Sequence, residues 1–278
     1  MIQLKHSLQK IDEQKKQYRI LLNRSRYRQQ IENHVWTMAA DLTSRFDLAP
    51  DESASLVQKQ NKEGLLTAFD SVRHAPKNIL SVPFVMDTHA QALSVVSPEH
   101  TGHFRNIRAR WLNSTMILAN SAKVPDLMYQ LVDGINAKRV PAFYWDECPD
   151  KQFQSCSRHP VMQAIETNYN LVAIHPFTDG NKRIARLITA WVLAKYGHIP
   201  LAVYNRENYI SGIENYFNTR HPHTFYKMML DQMRLTYEKA MREAKIIDSI
   251  RVYQPRTLKK GKVSFNVKQF LQKQDQKQ

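Results

Sequence analysis

Residues 160–197, PVMQAIETNYNLVAIHPFTDGNKRIARLITAWVLAKYG, decide the fold of this chain. Two apolar stretches of helical periodicity flank a short polar segment. The first begins at Pro160, a residue that favours the first turn of a helix, and the second ends at Gly197, a typical helix stop. The intervening HPFTDGNKR contains a proline and a glycine, which interrupt a helix and turn the backbone. The pattern therefore predicts a polar loop held between two buried helices.

The rest of the sequence also favours helices. Only seven glycines occur in 278 residues, and alternating strand patterns are scarce. We predict one or two helices over residues 8–47, with Ile11, Tyr18, Leu21 and Leu22 facing inward, and a further helix through about Ser71. Another helix is predicted from Pro125 to about Lys138.

Residues 97–125 lose the helical period, so we expect a loop and a short β-hairpin there. The predicted fold class is all-α with this hairpin. The predicted regions are an N-terminal helical region at 1–80, a core domain at 81–235, and a basic C-terminal helix and tail at 236–278.

The formal net charge of +15 is concentrated at the two ends of the chain. Basic ends attract polyanions, so an acidic protein or a nucleic acid is a candidate partner; solvated ends that keep the protein soluble are the alternative. The sequence shows no transmembrane segment and no secretory signal, which predicts a cytoplasmic protein. Cys148 and Cys156 lack the spacing of a zinc site or a redox pair.

The polar loop contains residues suited to nucleotide chemistry. Gly180 can adopt a positive φ, and the helix that starts near Asn181 presents free N–H groups to an anion. Asp179 offers the oxygen ligand that Mg²⁺ prefers beside phosphates. His175 has an ordinary pKa suited to accepting a proton near neutral pH. Two arginines spaced by three, Arg183 and Arg186, can donate to phosphate oxygens.

This segment resembles the signature of the Fic family, H-x-F-x-[D/E]-G-N-G-R-x-x-R, with one departure, at Lys182. Three other segments resemble family elements: TGHFR at 101–105, VPDLM at 124–128, and RENYISGIENY at 206–216. The resemblance covers roughly residues 85–230 and implies a mainly helical Fic fold with a hairpin flap. It also implies an enzyme that transfers AMP from ATP to a hydroxyl group of a target protein.

The resemblance implies a role for each matching residue. His175 would deprotonate the target hydroxyl, Asp179 would hold Mg²⁺, and Phe177 would anchor the loop in the core. The residues implied to bind the nucleotide and its phosphates are Gly180, Asn181, Lys182, Arg183, Arg186 and Tyr209, with Tyr209 near adenine and Arg186 at the γ-phosphate. Residues 112–123 would form the flap that docks the target protein by strand addition.

Lys182 opens an alternative. GNKR in place of GNGR resembles the Doc branch, whose members transfer a phosphoryl group from ATP; Gly180 and Arg186, however, match the AMP-transferring branch. AMP transfer is therefore the favoured prediction. Phosphoryl transfer is the first alternative, and a catalytically weak scaffold that acts as a binding protein is the second.

Regulation and location also follow from the resemblance. Many Fic proteins carry an inhibitory [S/T]-x-x-x-E-[G/N] helix, and Glu63-Gly64 is the nearest candidate, although Lys59 stands where Ser or Thr belongs. An exposed helix glutamate is the alternative interpretation of Glu63. A partner antitoxin could supply the inhibitory glutamate instead, and secretion as an effector is a further option for the family.

Overall fold

The computed structural model describes residues 2–46, 56–94, 98–111, 116–139 and 158–252. These residues are mainly helical, as the sequence predicts. Two short 3-10 turns, Pro98–His100 and Ser121–Lys123, join longer helices. The helices are α1 Ile2–Arg24, α2 Arg28–Phe46, α3 Leu56–His74, α4 Val82–Leu93, α5 Val124–Asn136, α6 Pro160–Ile174, α7 Asn181–Lys195, α8 Arg206–Thr219 and α9 His223–Val252.

Helices α6 and α7 form the centre of the core. Every residue of α6 from Val161 to Ile174 is buried, and α7 is buried from Asn181 to Leu193 except at Lys182. A helix that is buried on all sides must be surrounded by other elements. Here α3 and α4 pack against α7, whereas α5 and α9 pack against α6. The loop between α6 and α7 is therefore fixed at both ends by core packing.

The N-terminal region packs on the C-terminal helix. Residues 2–46 form two helices, where one or two were predicted over 8–47, and α1 runs along α9 with Ile11, Tyr18 and Leu22 buried. Helix α9 continues without a break through residue 235, where the sequence predicts a region boundary. The division into 1–80, 81–235 and 236–278 stays a prediction. Both cysteines and the tail from Gln254 lie outside the described residues.

The segment that precedes α5 differs from the predicted hairpin. No strand occurs in its described residues, 98–111 and 116–123; residues 112–115 lie outside the described residues. Its backbone bonds go to α6 and the polar loop: the Ala119 N–H donates to the Ala173 carbonyl (3.4 Å), and the Arg105 N–H donates to the Pro176 carbonyl (2.9 Å). For the described part the hairpin prediction is wrong, because the segment is attached to α6 instead of pairing with itself.

Proline and glycine mark the helix ends as expected. Pro125 lies in the first turn of α5, and Pro160 begins α6, where the His159 imidazole accepts a hydrogen bond from the Val161 N–H. Gly197, at a φ of 69°, follows the end of α7. None of the described helices is both long and apolar enough to cross a membrane.

Helix α6 buries a carboxyl group, that of Glu166. Its Oε1 lies 3.5 Å from the Tyr216 hydroxyl, and its Oε2 has no hydrogen-bond partner among the described residues. Burial raises the pKa of this carboxyl to about 8. Between about pH 4.5 and about pH 8 this carboxyl therefore stays protonated in the folded protein, whereas in the unfolded chain, with its ordinary pKa of 4.5, it has lost the proton.

Glu166→Gln is expected to stabilise the protein, and more so at alkaline pH. Wild-type stability falls as pH rises through this window, because the unfolded state binds fewer protons than the folded state. Glutamine has no proton to lose, so its advantage should grow by on the order of 3 kcal/mol between about pH 5 and pH 8. Urea unfolding at both pH values measures the difference in unfolding free energy between this variant and wild type. Glu13→Gln, on the exposed side of α1, is the control. An advantage equal at both pH values would contradict this account.

Candidate active site

Two residues in the left-handed backbone region bracket the polar loop. His175 ends α6 with φ 52° and ψ 60°, and its N–H donates to the Leu171 carbonyl. Gly180 precedes α7 with φ 75° and ψ 4°. A β-carbon at Gly180 would collide with the Cδ1 atom of Leu93 on α4. The positive φ favours glycine at this position, and a larger residue would also have to displace the Leu93 side chain.

Gly180→Ala is expected to destabilise the protein more than Gly102→Ala does. Gly102 has the same φ of 75°, but the atom nearest to its added β-carbon would lie 3.4 Å away. Both variants carry the left-handed strain of about 1 to 2 kcal/mol. Only Gly180→Ala must also displace Leu93, which adds roughly 1 to 3 kcal/mol. If urea unfolding shows the same loss of unfolding free energy in both variants, the contact with Leu93 does not contribute to the cost of Gly180→Ala.

The side chain of Asn181 closes the loop. Its Oδ1 accepts from the Phe177 N–H and its Nδ2 donates to the Phe177 carbonyl, both at 2.8 Å. Asn181 is 3% exposed. The sequence assigns this residue to phosphate binding; the structure uses both ends of its amide to fix the shape of the loop.

The loop borders a cavity of about 720 Å³. The sequence-predicted residues His175, Asp179, Gly180, Asn181, Lys182 and Arg183 line it together with Arg110, Trp111, Thr178, Arg206, Ile210 and Glu214. Four of these side chains are cationic and two are carboxylates, so the cavity favours an anionic ligand.

The imidazole of His175 lies at the cavity wall, 6.5 Å from the Trp111 ring between ring centres. Its Nδ1 is buried. Burial lowers the pKa of His175 to about 4, a shift to which the nearby Arg105 and Lys182 charges add. The ring is therefore neutral at neutral pH and can accept a proton, although it is a weaker base than the sequence alone indicates.

Arg105 fastens the preceding segment to the loop. The side chain is 3% exposed, and its Nε donates to the His175 carbonyl (2.6 Å). The other guanidinium nitrogens donate to the carbonyls of Ile107, Ala119 and Ile174. One side chain thus joins the end of α6 to Ile107, which precedes the predicted flap, and to Ala119 within it. The sequence singles out TGHFR only by resemblance and does not identify this role.

Asp179 is exposed in the cavity, as a metal ligand must be. Its Oδ1 accepts from the Gly180 N–H (2.6 Å), and its carbonyl lies 3.0 Å from Nε2 of His89. His89, on α4, is fully buried and stacks on Phe177, with ring centres 3.7 Å apart and the planes at 7°. Phe177 is the predicted anchor in the core, and it is buried. Sequence reasoning missed His89.

The Lys182 ammonium lies over the Trp111 ring, 5.7 Å from its centre. Arg183, 8% exposed, reaches the same cavity from the first turn of α7. Arg186 is one turn further along and does not line the cavity. It is 3% exposed, and its guanidinium donates to the Thr43 carbonyl of α2 at 3.4 Å.

Tyr209 is also placed behind the cavity wall. It is fully buried, and its hydroxyl donates to Oδ1 of Asn168 (2.7 Å). The residues of α8 that line the cavity are Arg206, Ile210 and Glu214. In this structure Tyr209 therefore supports the site from the core instead of facing a ligand.

Glu63 lies away from this cavity. It is exposed on α3 and lines a separate depression with Gln91 of α4 and with Ser94, which follows that helix. The inhibitory role of Glu63 stays a prediction. Among the described residues no cluster of three or more His, Cys, Asp or Glu side chains forms a metal site. A metal ion at Asp179 would need further ligands from elsewhere, such as substrate phosphates.

Sequence comparisons show which known proteins share these features. Residues 79–193 match the model of the Fic/DOC family. The protein adenylyltransferase Fic of Aedes aegypti is 26% identical over 126 residues, 45% of this chain and 22% of that protein. The protein of the same name from Nematostella vectensis is 29% identical over 124 residues, 45% of this chain and 25% of that protein. The chain thus spans a quarter or less of these relatives.

Two solved structures share the fold. Fic-1 from C. elegans superposes with a TM-score of 0.66 at 16% identity, over 88% of this chain and 73% of that one. A Fic domain containing signaling protein from Bacteroides thetaiotaomicron gives 0.65 at 16% identity, over 85% of this chain and 98% of that one. The helical core and the motif loop agree with this match, and the described residues have a mainly helical Fic fold within which residues 79–193 match the Fic/DOC family model.

Proposed function

We propose that this chain is a protein adenylyltransferase, which transfers AMP from ATP to a hydroxyl side chain of a target protein. One observation carries the proposal: a neutral imidazole, an exposed carboxylate and a helix N-terminus flanked by cations converge on one cavity of about 720 Å³. The curated relatives named protein adenylyltransferase Fic support the same reaction class.

His175 acts as the general base. Its Nε2 takes the proton of the target hydroxyl as that oxygen attacks the α-phosphorus of ATP. The bond from the α-phosphorus to the bridging oxygen breaks, and pyrophosphate leaves with the electron pair. The product is an AMP ester of the target side chain, and the proton remains on the imidazole until it passes to solvent.

The start of α7 binds the nucleotide. Its first N–H groups and helix dipole attract the phosphates, and Arg183 adds charge-assisted hydrogen bonds. Asp179 would hold Mg²⁺ together with the phosphates, and this ion would offset their negative charge. Arg186 contributes positive charge from beneath the loop. The target chain docks on residues 112–123, and Arg105 joins Ala119 within this segment to the His175 carbonyl.

Phosphoryl transfer is the second candidate, and Lys182 is the observation that favours it. Its ammonium lies over Trp111 at the cavity wall, close to the base, where a long cation can bind a different phosphate. Transfer of the γ-phosphoryl group would then leave ADP. The same base and the same acceptor hydroxyl would serve either reaction.

ATP labelled on the α- or the γ-phosphate distinguishes these reactions. The protein is incubated in a lysate with each label, beside a His175→Ala control. Label from the α-phosphate on protein supports AMP transfer, and label from the γ-phosphate alone supports phosphoryl transfer. No His175-dependent label from either position would indicate a binding protein instead.

Lys182→Gly is expected to increase AMP transfer severalfold, because it removes a side chain from the cavity wall beside the base. Lys182→Met is the matched control: it keeps most of the length but loses the charge. If AMP transfer increases equally in both variants, the charge of Lys182 limits the reaction. If it increases only in Lys182→Gly, the size of the side chain limits it. A loss of α-label with Lys182→Gly would contradict the expectation and assign Lys182 to productive phosphate binding.

A further inference from the structure

His89 on α4 bridges two parts of the site that are distant in sequence. Its Nε2 lies 3.0 Å from the Asp179 carbonyl in the motif loop. Its Nδ1 accepts from the Gly102 N–H (3.1 Å), three residues before Arg105. The ring also stacks on Phe177 and is fully buried. Both ring nitrogens and one face of the ring therefore contact residues around the site.

The partners define the tautomer of this imidazole. A backbone N–H can only donate, so Nδ1 must carry a lone pair toward Gly102. A backbone carbonyl can only accept, so Nε2 must carry the proton toward Asp179. His89 is thus a neutral Nε2–H imidazole, and no other natural side chain supplies this acceptor and this donor on one rigid ring.

The bond to Asp179 restrains the residue that presents a carboxylate to the cavity. The Asp179 carbonyl is held by His89, while its Oδ1 is held by the Gly180 N–H at 2.6 Å. Gly180 in turn is fixed by its φ of 75° and by the approach of Leu93. With the backbone and one carboxylate oxygen fixed, Oδ2 has a defined direction.

We propose that His89 is a positioning residue that orients the Asp179 carboxylate for a metal-bound triphosphate, by donating from Nε2 to the Asp179 carbonyl while Nδ1 holds Gly102. This inference rests on the proposed nucleotide-binding function. It adds a residue outside the motif to the machinery that presents the metal ligand.

Two amide variants separate the two bonds. His89→Gln carries its amide nitrogen near the Nε2 position and can still donate to Asp179. His89→Asn is shorter, reaches only the Nδ1 position, and can still accept from Gly102. Both variants remove the aromatic stack on Phe177, so a difference between them cannot come from the loss of that stack. Thermal unfolding of both variants shows that they fold.

The first readout needs no nucleotide. Hydrogen exchange of the Gly180 amide reports its bond to Oδ1 of Asp179. We expect protection close to wild type in His89→Gln and at least about tenfold faster exchange in His89→Asn. In wild type, nitrogen chemical shifts of the His89 ring should show a proton on Nε2. Equal Gly180 exchange in the two variants, or a proton on Nδ1, would overturn the proposal.

The second readout is the dissociation constant of ATP with and without Mg²⁺, measured by calorimetry. In wild type we expect Mg²⁺ to tighten ATP binding. In His89→Asn this tightening should be at least about tenfold smaller than in wild type, whereas His89→Gln should keep most of it. Binding of metal-free ATP should change little in either variant. Equal Mg²⁺ gains would overturn the positioning role. If wild type binds no ATP at all, the proposed function fails, and Gly180 exchange still decides the role of His89.

Discussion

Replacing His175 by alanine is expected to lower the rate of AMP transfer by about two to four orders of magnitude, because the target hydroxyl loses its base. The affinity for ATP should change by less than about threefold, since the proposed phosphate-binding groups lie on α7 and the proposed metal ligand is Asp179. Quantitation of α-labelled protein under single-turnover conditions measures the rate, and calorimetry measures the affinity.

His103→Ala is the control for this experiment. His103 is an exposed histidine of the neighbouring segment, and its Nδ1 contacts only the nearby Thr101 carbonyl among the hydrogen bonds described. It should keep the wild-type rate. An unchanged rate in His175→Ala, or an equal loss in both variants, would remove His175 from the mechanism.

Arg105→Met is expected to cost about 3 to 5 kcal/mol of folding stability, because buried carbonyls lose the charged donor that binds them. Methionine fills much of the space but donates nothing to the carbonyls of Ile107, Ala119, Ile174 and His175. Urea unfolding measures the loss. Transfer should also fall by at least about tenfold in protein that remains folded, since the carbonyl of the base is released.

Arg108→Met provides the matched comparison three residues away. Arg108 is exposed, so its loss should cost less than about 0.5 kcal/mol. If the two arginine variants unfold at the same urea concentration, Arg105 is not the fastening that its contacts indicate.

The local parts of this site were predictable, because they depend on residues close together in sequence. Proline and glycine in HPFTDGNKR interrupt the helical period, and the structure has its loop there, with Gly180 in the left-handed region. The apolar stretches on either side predict buried helices, and α6 and α7 are buried. His175, Asp179 and Gly180 line one cavity with the first residues of α7, whereas the predicted phosphate ligand Arg186 does not.

The parts that failed depend on long-range contacts. His89 lies ninety positions before Asp179, and Arg105 lies seventy before His175, so no local period connects them. The segment before α5 reads as a hairpin because its apolar run is short, whereas its bonds go to α6. Long-range hydrogen bonds of this kind leave no periodic signal in one sequence.

Helix α8 shows that one missed feature did have a signal. Tyr209, Ile213 and Tyr216 are buried, whereas Arg206, Ile210 and Glu214 line the cavity. The second set is spaced by four residues and therefore lies along one side of a helix. That spacing could have assigned Ile210 to the cavity and Tyr209 to the core.

Mass spectrometry of modified peptides tests the central claim most directly. A lysate is incubated with ATP and either the wild-type protein or His175→Ala, and peptides with altered mass are sequenced. The account predicts an AMP ester on a hydroxyl side chain that is formed by wild type and is absent with the variant. A phosphoryl adduct in its place, or no adduct that depends on His175, would contradict it.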